Sequence, residues 1–122
     1  MAKCLVVDDN SDMLQVLSDY VETLGFEPLK AHDGDEAWEI FKREWPSVVV
    51  SDIHMPNRNG LLLMRDIKNH DPNVPVILIT GYFQYRKVLD DIQPDGYLEK
   101  PFSLVDLREA LEKVMPLTPT TS

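Results

Sequence analysis

Three carboxylates stand out for the chemistry they permit together: Asp8 and Asp9, which close the first apolar run of the chain, and Asp52, which closes the third. Acidic side chains gathered at one place repel one another unless a cation joins them, so a pair at one strand end meeting a third at another suggests a Mg²⁺ site. Two further polar groups follow later apolar runs: Thr80 with Gly81, and Lys100 with Pro101. A hydroxyl and an ammonium are suited to the oxygens of a tetrahedral anion. Acids after strands also cap helices, and Asp9 or Asn10 is so placed before the first helix. That reading suffices for one acid, but not for three acids, a threonine and a lysine, each at its own strand end.

The elements that must position these groups follow from the hydrophobic pattern. Short apolar runs rich in β-branched residues, Lys3 to Val7, Glu27 to Ala31, Ser47 to Ser51, Val74 to Thr80 and Gly96 to Leu98, alternate with segments of helical period. This predicts an α/β protein, a doubly wound parallel five-stranded sheet of (βα)5 type with helices on both faces. The first helix spans about Ser11 to Leu24, with Leu14, Leu17, Val21 and Leu24 on one face and Gly25 as a left-handed cap. The second uses Ala37, Ile40 and Phe41 and stops before Pro46; the third uses Leu63, Met64 and Ile67 and stops before Pro72. A short fourth helix places Tyr85, Val88, Leu89 and Ile92 in register. The fifth opens with Ser103 and Asp106 as a capping pair, buries Leu104, Leu107, Leu111 and Val114, and ends at Pro116. Open parallel sheets bind ligands beyond the carboxyl ends of their strands, where the strand order reverses, and the polar groups above all stand there.

A length of 122 residues fits one domain, here 1–116, with 117–122 as a flexible tail. Its Pro/Thr composition resembles the start of an interdomain linker and leaves open whether the chain is a whole protein or part of a longer one. With 21 Asp and Glu against 12 Lys and Arg, the net charge of −9 has the wrong sign for holding nucleic acid through its phosphates, so direct nucleic-acid binding is not expected. The single cysteine, Cys4, lies in an apolar run and reads as a core residue; the lack of a disulfide fits a reducing compartment. No stretch approaches the roughly 18 apolar residues of a membrane span, and Met1 to Lys3 leads directly into a strand. A cytoplasmic protein with no membrane association is expected.

Linked motifs sharpen the functional reading: Val7-Asp8-Asp9-Asn10, Ser51-Asp52-Ile53-His54-Met55-Pro56 followed by Gly60, Ile79-Thr80-Gly81, and Tyr97-Leu98-Glu99-Lys100-Pro101-Phe102. In this order and spacing, over about residues 3 to 115, the chain resembles the receiver domains of two-component response regulators. The resemblance implies a flavodoxin-like sheet of order 2-1-3-4-5, in which the first and third strands are neighbours and Asp8, Asp9 and Asp52 converge. It implies phosphorylation of Asp52 by a sensor histidine kinase or histidine phosphotransfer protein. It also implies Mg²⁺ held by Asp9, Asp52 and the backbone carbonyl of His54, with Asp8 acting mainly through a metal-bound water. Lys100, preceding a cis Pro101, and Thr80 would bind phosphoryl oxygens. Thr80 and Tyr97 would form the switch, and the fourth helix, fifth strand and fifth helix the responding surface. That surface would serve an output protein or effector domain, with room for a phosphorylation-dependent homodimer. Such a domain is a phosphoacceptor switch rather than an enzyme, promoting only its own phosphorylation and dephosphorylation. The segment from Thr80 to Lys100 is about two residues shorter than is usual in that family, with Ile92-Gln93-Pro94-Asp95-Gly96 before the fifth strand, which predicts a short or displaced fourth helix.

Two other functions compete. A small hydrolase with an aspartyl-phosphate intermediate usually carries Asp-x-Asp after the first strand and a cap domain; here Asp8-Asp9-Asn10 stands there and no residues remain for a cap. A phosphate-independent scaffold with this fold is disfavoured by the presence of all five site residues. Tyr82, two positions past Thr80, is expected to shield an acyl phosphate or to be a solvated loop ring; His54 holds the matching position past Asp52. His32, His54 and His70 lack ligand spacing, so no transition-metal site is expected. Trp38 and Trp45 read as packing residues, whereas Phe83, off the buried stripe of Tyr85 and next to Arg86-Lys87, is a candidate partner anchor.

Overall fold

A computed structural model describes residues 1–81, 87 and 91–115. Five strands, β1 (Lys3–Val7), β2 (Glu27–Ala31), β3 (Val48–Asp52), β4 (Val76–Thr80) and β5 (Gly96–Glu99), alternate with helices α1 (Ser11–Thr23), α2 (Gly34–Glu44) and α3 (Gly60–His70), and the helix α4 (Leu104–Val114) follows β5. All pairings are parallel and the order is 2-1-3-4-5, so β1 lies between β2 and β3.

Side chains alternate across a strand, and here both sets are apolar because helices cover both faces. Leu5, Val7, Val49, Val76 and Leu78 pack with Ala37 and Phe41 of α2 and Leu63 and Ile67 of α3. Their neighbours Cys4, Val6, Val48, Val50, Ile77 and Ile79 pack on the other face with Leu14, Leu17 and Val21 of α1 and Leu107 and Leu111 of α4. Each fully buried Leu, Ile or Phe contributes about 1.5–3 kcal/mol by leaving water.

An N-cap side chain starts each of α1 to α4. Asn10 accepts from the Met13 amide, Asp33 from Glu36 and Asn59 from Leu62, while Ser103 and Asp106 form the expected capping box. At its end α1 reaches Gly25, whose φ of +100° suits a residue without Cβ. Trp45 ends α2 in the left-handed conformation and stacks on Phe41, with ring centroids 5.7 Å apart; its centroid lies 4.9 Å from that of His70. Trp38 stacks on Phe41 as well, with ring centroids 5.8 Å apart.

Several limits differ from the expected ones. Helix α1 stops at Thr23 because Leu24 already serves as its cap. Strand β3 runs to Asp52, which pairs with Ile79, and the Ile53 amide extends that ladder to the Ile79 carbonyl at 2.9 Å. The expected start of β4 at Val74 is replaced by a turn: the Val74 amide donates to Asp71 and Pro75 has no N–H to give. Strand β5 gains Glu99, paired with Thr80. Leu24, Ile40, Leu104 and Val114 are half-buried rather than buried. Lys87, Asp91 and Ile92 have helical backbone. The rest of the expected fourth helix, with Tyr82, Phe83 and Tyr85, lies outside the described residues, as does the tail 117–122. Among the described residues no helix is long and apolar enough to cross a membrane.

Candidate functional site

The sheet register puts the polar groups at one level. Val7 pairs with Ser51, so Asp8 and Asp52 leave adjacent strands side by side, and Thr80 ends β4 one residue beyond the Asp52–Ile79 pair. Asp8 is held in place by its amide, which donates to the Ala31 carbonyl at 3.2 Å, and by its Oδ1, which accepts from the Asn10 amide at 2.9 Å. The ambiguity over the helix cap is resolved: Asn10 caps α1, and Asp9 stays exposed beside the pocket. One carboxylate oxygen from each of Asp8, Asp9 and Asp52 lies within 4.8 Å of the others.

Lys100 joins them from the β5 side. Its Nζ donates to Asp52 Oδ2 at 2.9 Å and to Asp8 Oδ2 at 3.4 Å, and its amide donates to the Thr80 carbonyl at 2.8 Å. The Lys100–Pro101 peptide is cis, as expected. Asp52 is 5% exposed and Asp8 1%. Burial pushes the Asp8 carboxyl above the usual carboxylate range; the Asn10 amide pulls the other way, the Asp52 charge adds to the rise, and Lys100 opposes it. Burial also works against the Lys100 ammonium, but the hydrogen bonds and charges of Asp52 and Asp8 outweigh it and raise its pKa above the ordinary lysine value.

The four charged residues expected at the site, Asp8, Asp9, Asp52 and Lys100, thus come together, and buried Thr80 ends the strand next to Asp52. The His54 amide donates to Asp52 Oδ1 at 3.2 Å, so the backbone at His54 borders the site. Tyr97 pairs with Leu78, two residues below the strand ends, and is 38% exposed. The donor set is all oxygen, which fits a hard divalent cation. In an octahedral Mg²⁺ shell neighbouring oxygens stand about 3 Å apart and opposite ones about 4.2 Å, so the carboxylates need close by less than about 2 Å at most.

The sequence motifs name Gly60 but do not show what it meets, and the contacts of the loop around it are not visible in them. Gly60 is required because a Cβ there would meet the Asp52 carbonyl oxygen at 2.4 Å. Gly34 lies against the loop between β3 and α3, where a Cβ would stand 1.8 Å from the Arg58 carbonyl oxygen. In that loop Asn57 takes a φ of 68°, and its Nδ2 donates to Asp33 Oδ2 at 3.2 Å. Arg58 bridges Asp35 of α2 and Asp66 of α3 at 3.2 and 3.1 Å. The Asn57-Arg58-Asn59-Gly60 run signals a turn, but its partners come from a distant segment that no local pattern names.

The family model described as response regulator receiver domain matches residues 4–112. Among curated relatives, protein CcdB of Bacillus subtilis is 34% identical over 118 residues, covering 94% of this chain and 98% of that protein. The probable transcriptional regulator ycf27 of Porphyridium aerugineum is 31% identical over 93% of this chain, which spans only 48% of its length. Among solved structures, the response regulator protein TrrA of Thermotoga maritima, in complex with Mg(2+)-BeF, superposes with a TM-score of 0.87 at 31% identity over 94% of this chain and 100% of that one. A receiver domain protein of Clostridium thermocellum superposes with a TM-score of 0.86 at 32% identity, over 93% and 94% of the two chains. The expected sheet order and the clustered acids agree with this match, and the chain belongs to the response regulator receiver domain family of two-component systems.

Proposed function

We propose that Asp52 accepts a phosphoryl group from a phosphohistidine of a sensor kinase or phosphotransfer protein, and that the chain is a switch for a partner or effector. The observation that carries this reading is the Asp52 carboxylate, nearly dry, 2.9 Å from an ammonium and grouped with two further carboxylates. An Asp52 oxygen attacks phosphorus as the bond to the donor imidazole nitrogen breaks; that bond's electron pair returns to the nitrogen, and the imidazole leaves neutral, keeping the proton already on its other ring nitrogen. The attacking atom is an anion approaching an anion, so the work left to the protein is positioning and charge stabilisation.

Mg²⁺, held by Asp9, Asp52 and the His54 carbonyl with Asp8 acting mainly through a bound water, would supply the positive charge that offsets the phosphoryl oxygens. Lys100 holds Asp52 in place before transfer and pairs with a phosphoryl oxygen after it. The Thr80 hydroxyl donates to another, and its movement toward the group leaves space for the Tyr97 ring. This changes the surface around β5 and α4 only as far as the phosphoryl group favours the second arrangement. The output would be an effector domain beyond residues 1–116, joined through 117–122, or a separate protein. The ycf27 relative, about twice as long, is named a probable transcriptional regulator, and CcdB has nearly the length of this chain. A cytoplasmic location is part of the same reading.

The hydrolase alternative is disfavoured by the role of Asn10, whose side chain caps α1 where such an enzyme needs its acid. Intact mass after incubation with Mg²⁺ and a small acyl phosphate tests the proposal. A gain of one phosphoryl group, lost in Asp52→Asn and with a chelator, is expected; a folded wild-type protein that gains none refutes it.

A further inference from the structure

The loop that leaves Asp52 is held at both ends. Beside the site, the Gly60 amide donates to the Ile53 carbonyl at 2.9 Å and the His54 amide to Asp52 Oδ1 at 3.2 Å. At the far end, Arg58 Nε lies 3.2 Å from Asp35 Oδ1 of α2 and Nη1 lies 3.1 Å from Asp66 Oδ2 of α3. The guanidinium carbon is 5.6 Å from the centre of the Trp38 ring. Arg65 takes the other Asp66 oxygen at 3.1 Å.

A planar guanidinium that serves carboxylates on two helices while lying over an aromatic ring is fixed in three directions, which a lysine ammonium would not be. The ion pairs are partly exposed, so their direct effect on stability is small. Their geometric effect is larger, because α2 and α3 are packed in one core and Arg58 ties the loop to both helices at once, alongside the Asn57–Asp33 hydrogen bond and the packing of Met55 on that core.

We propose that Arg58 is a positioning residue for the cation site: by clamping the loop to α2 and α3 it sets where the His54 backbone stands relative to Asp52. This rests on the reading that Asp52, its acidic neighbours and the His54 carbonyl hold Mg²⁺. A small cation that demands a near-ideal octahedral shell tolerates little displacement of a donor, so drift of the loop reads directly as lost affinity.

The test titrates the full chain with Mg²⁺ alone by isothermal calorimetry, comparing wild type, Arg58→Met, Arg58→Lys and a control, Val21→Ala, which opens a cavity in the opposite core. Arg58→Met is expected to bind Mg²⁺ about tenfold more weakly, the low end of the effect of removing groups that support metal ligands. Arg58→Lys keeps the charge without the fork and falls short of wild type. Val21→Ala lowers the urea midpoint but keeps wild-type affinity. Wild-type affinity in Arg58→Met, or an equal loss in Val21→Ala, overturns the proposal. A wild-type protein that binds no Mg²⁺ overturns the metal reading itself, and the two failures are distinct.

Discussion

Replacing Gly34 by alanine adds one methyl group where the backbone of another loop already stands. The new Cβ would lie 1.8 Å from the Arg58 carbonyl oxygen and 2.6 Å from its carbonyl carbon, and real contacts of this kind begin near 3.0 Å. The loop or the start of α2 must therefore retreat by about 1.2 Å, and a backbone cannot rotate out of the way as a side-chain tip can. Overpacking of this sort costs about 1–3 kcal/mol, and the loss of the Arg58 and Asn57 contacts that the retreat entails points to the upper end. Alanine is the better helix former by at most about 1 kcal/mol, less in a first turn, so the clash wins. A net loss of about 2 kcal/mol is expected, which lowers a urea midpoint by about 1 M at a typical slope for this size. Gly25→Ala is the companion: nothing lies within 4 Å of a Cβ there, and its cost, about 1–2 kcal/mol, comes from the φ of +100° alone. Gly34→Ala with a midpoint at or above wild type would refute the account of crowding.

Two further predictions concern charge. The native Asp8 carboxyl holds its proton more tightly than the unfolded chain does, because it is buried and faces Asp52. Without metal, its ionisation therefore lowers stability as pH rises from about 3.9 through the native value. Asp8→Asn, assayed by urea midpoints with a chelator, is expected to remove that slope and to be more stable than wild type at neutral pH, while losing the gain in midpoint on adding Mg²⁺. Lys100 has the opposite sign: its native pKa is raised, so its contribution is full below about 10.4 and fades as pH rises through the native value. Lys100→Met is expected to cost about 1–2 kcal/mol at neutral pH, discounted for its partial exposure, and to converge with wild type in alkali. Its midpoint should rise more than that of wild type when Mg²⁺ is added, since the ion then replaces a missing charge.

The sequence carried the strands, the sheet order through the family motifs, and the charged residues that meet at the site. It did so because each sits at the end of an apolar run, and parallel register brings such ends to one level. What it could not carry lies between distant segments. The role of Gly34 depends on a loop that begins some twenty residues later, and Arg58 finds one partner upstream on α2 and one downstream on α3. Helical periodicity marks Trp38 and Phe41 as one face but says nothing of the guanidinium that lies over Trp38. The choice between Asp9 and Asn10 as cap was also local and yet ambiguous, because both side chains can accept a helix amide; the structure decides it by giving the Met13 amide to Asn10, while Asp9 stands with the other two carboxylates.

Cys4, the lone thiol, sits at 0% exposure in the second position of β1, and burial raises its pKa. A thiol reagent needs the thiolate and access to it, so labelling must wait until the sheet opens. The chain thus contains its own clock for native-state opening, readable in plain buffer without denaturant. When opening is fast relative to labelling, any ligand that binds the closed form slows the clock by one plus its concentration over its dissociation constant. The same mass spectrum that tests for a phosphoryl group can then time the opening of the fold.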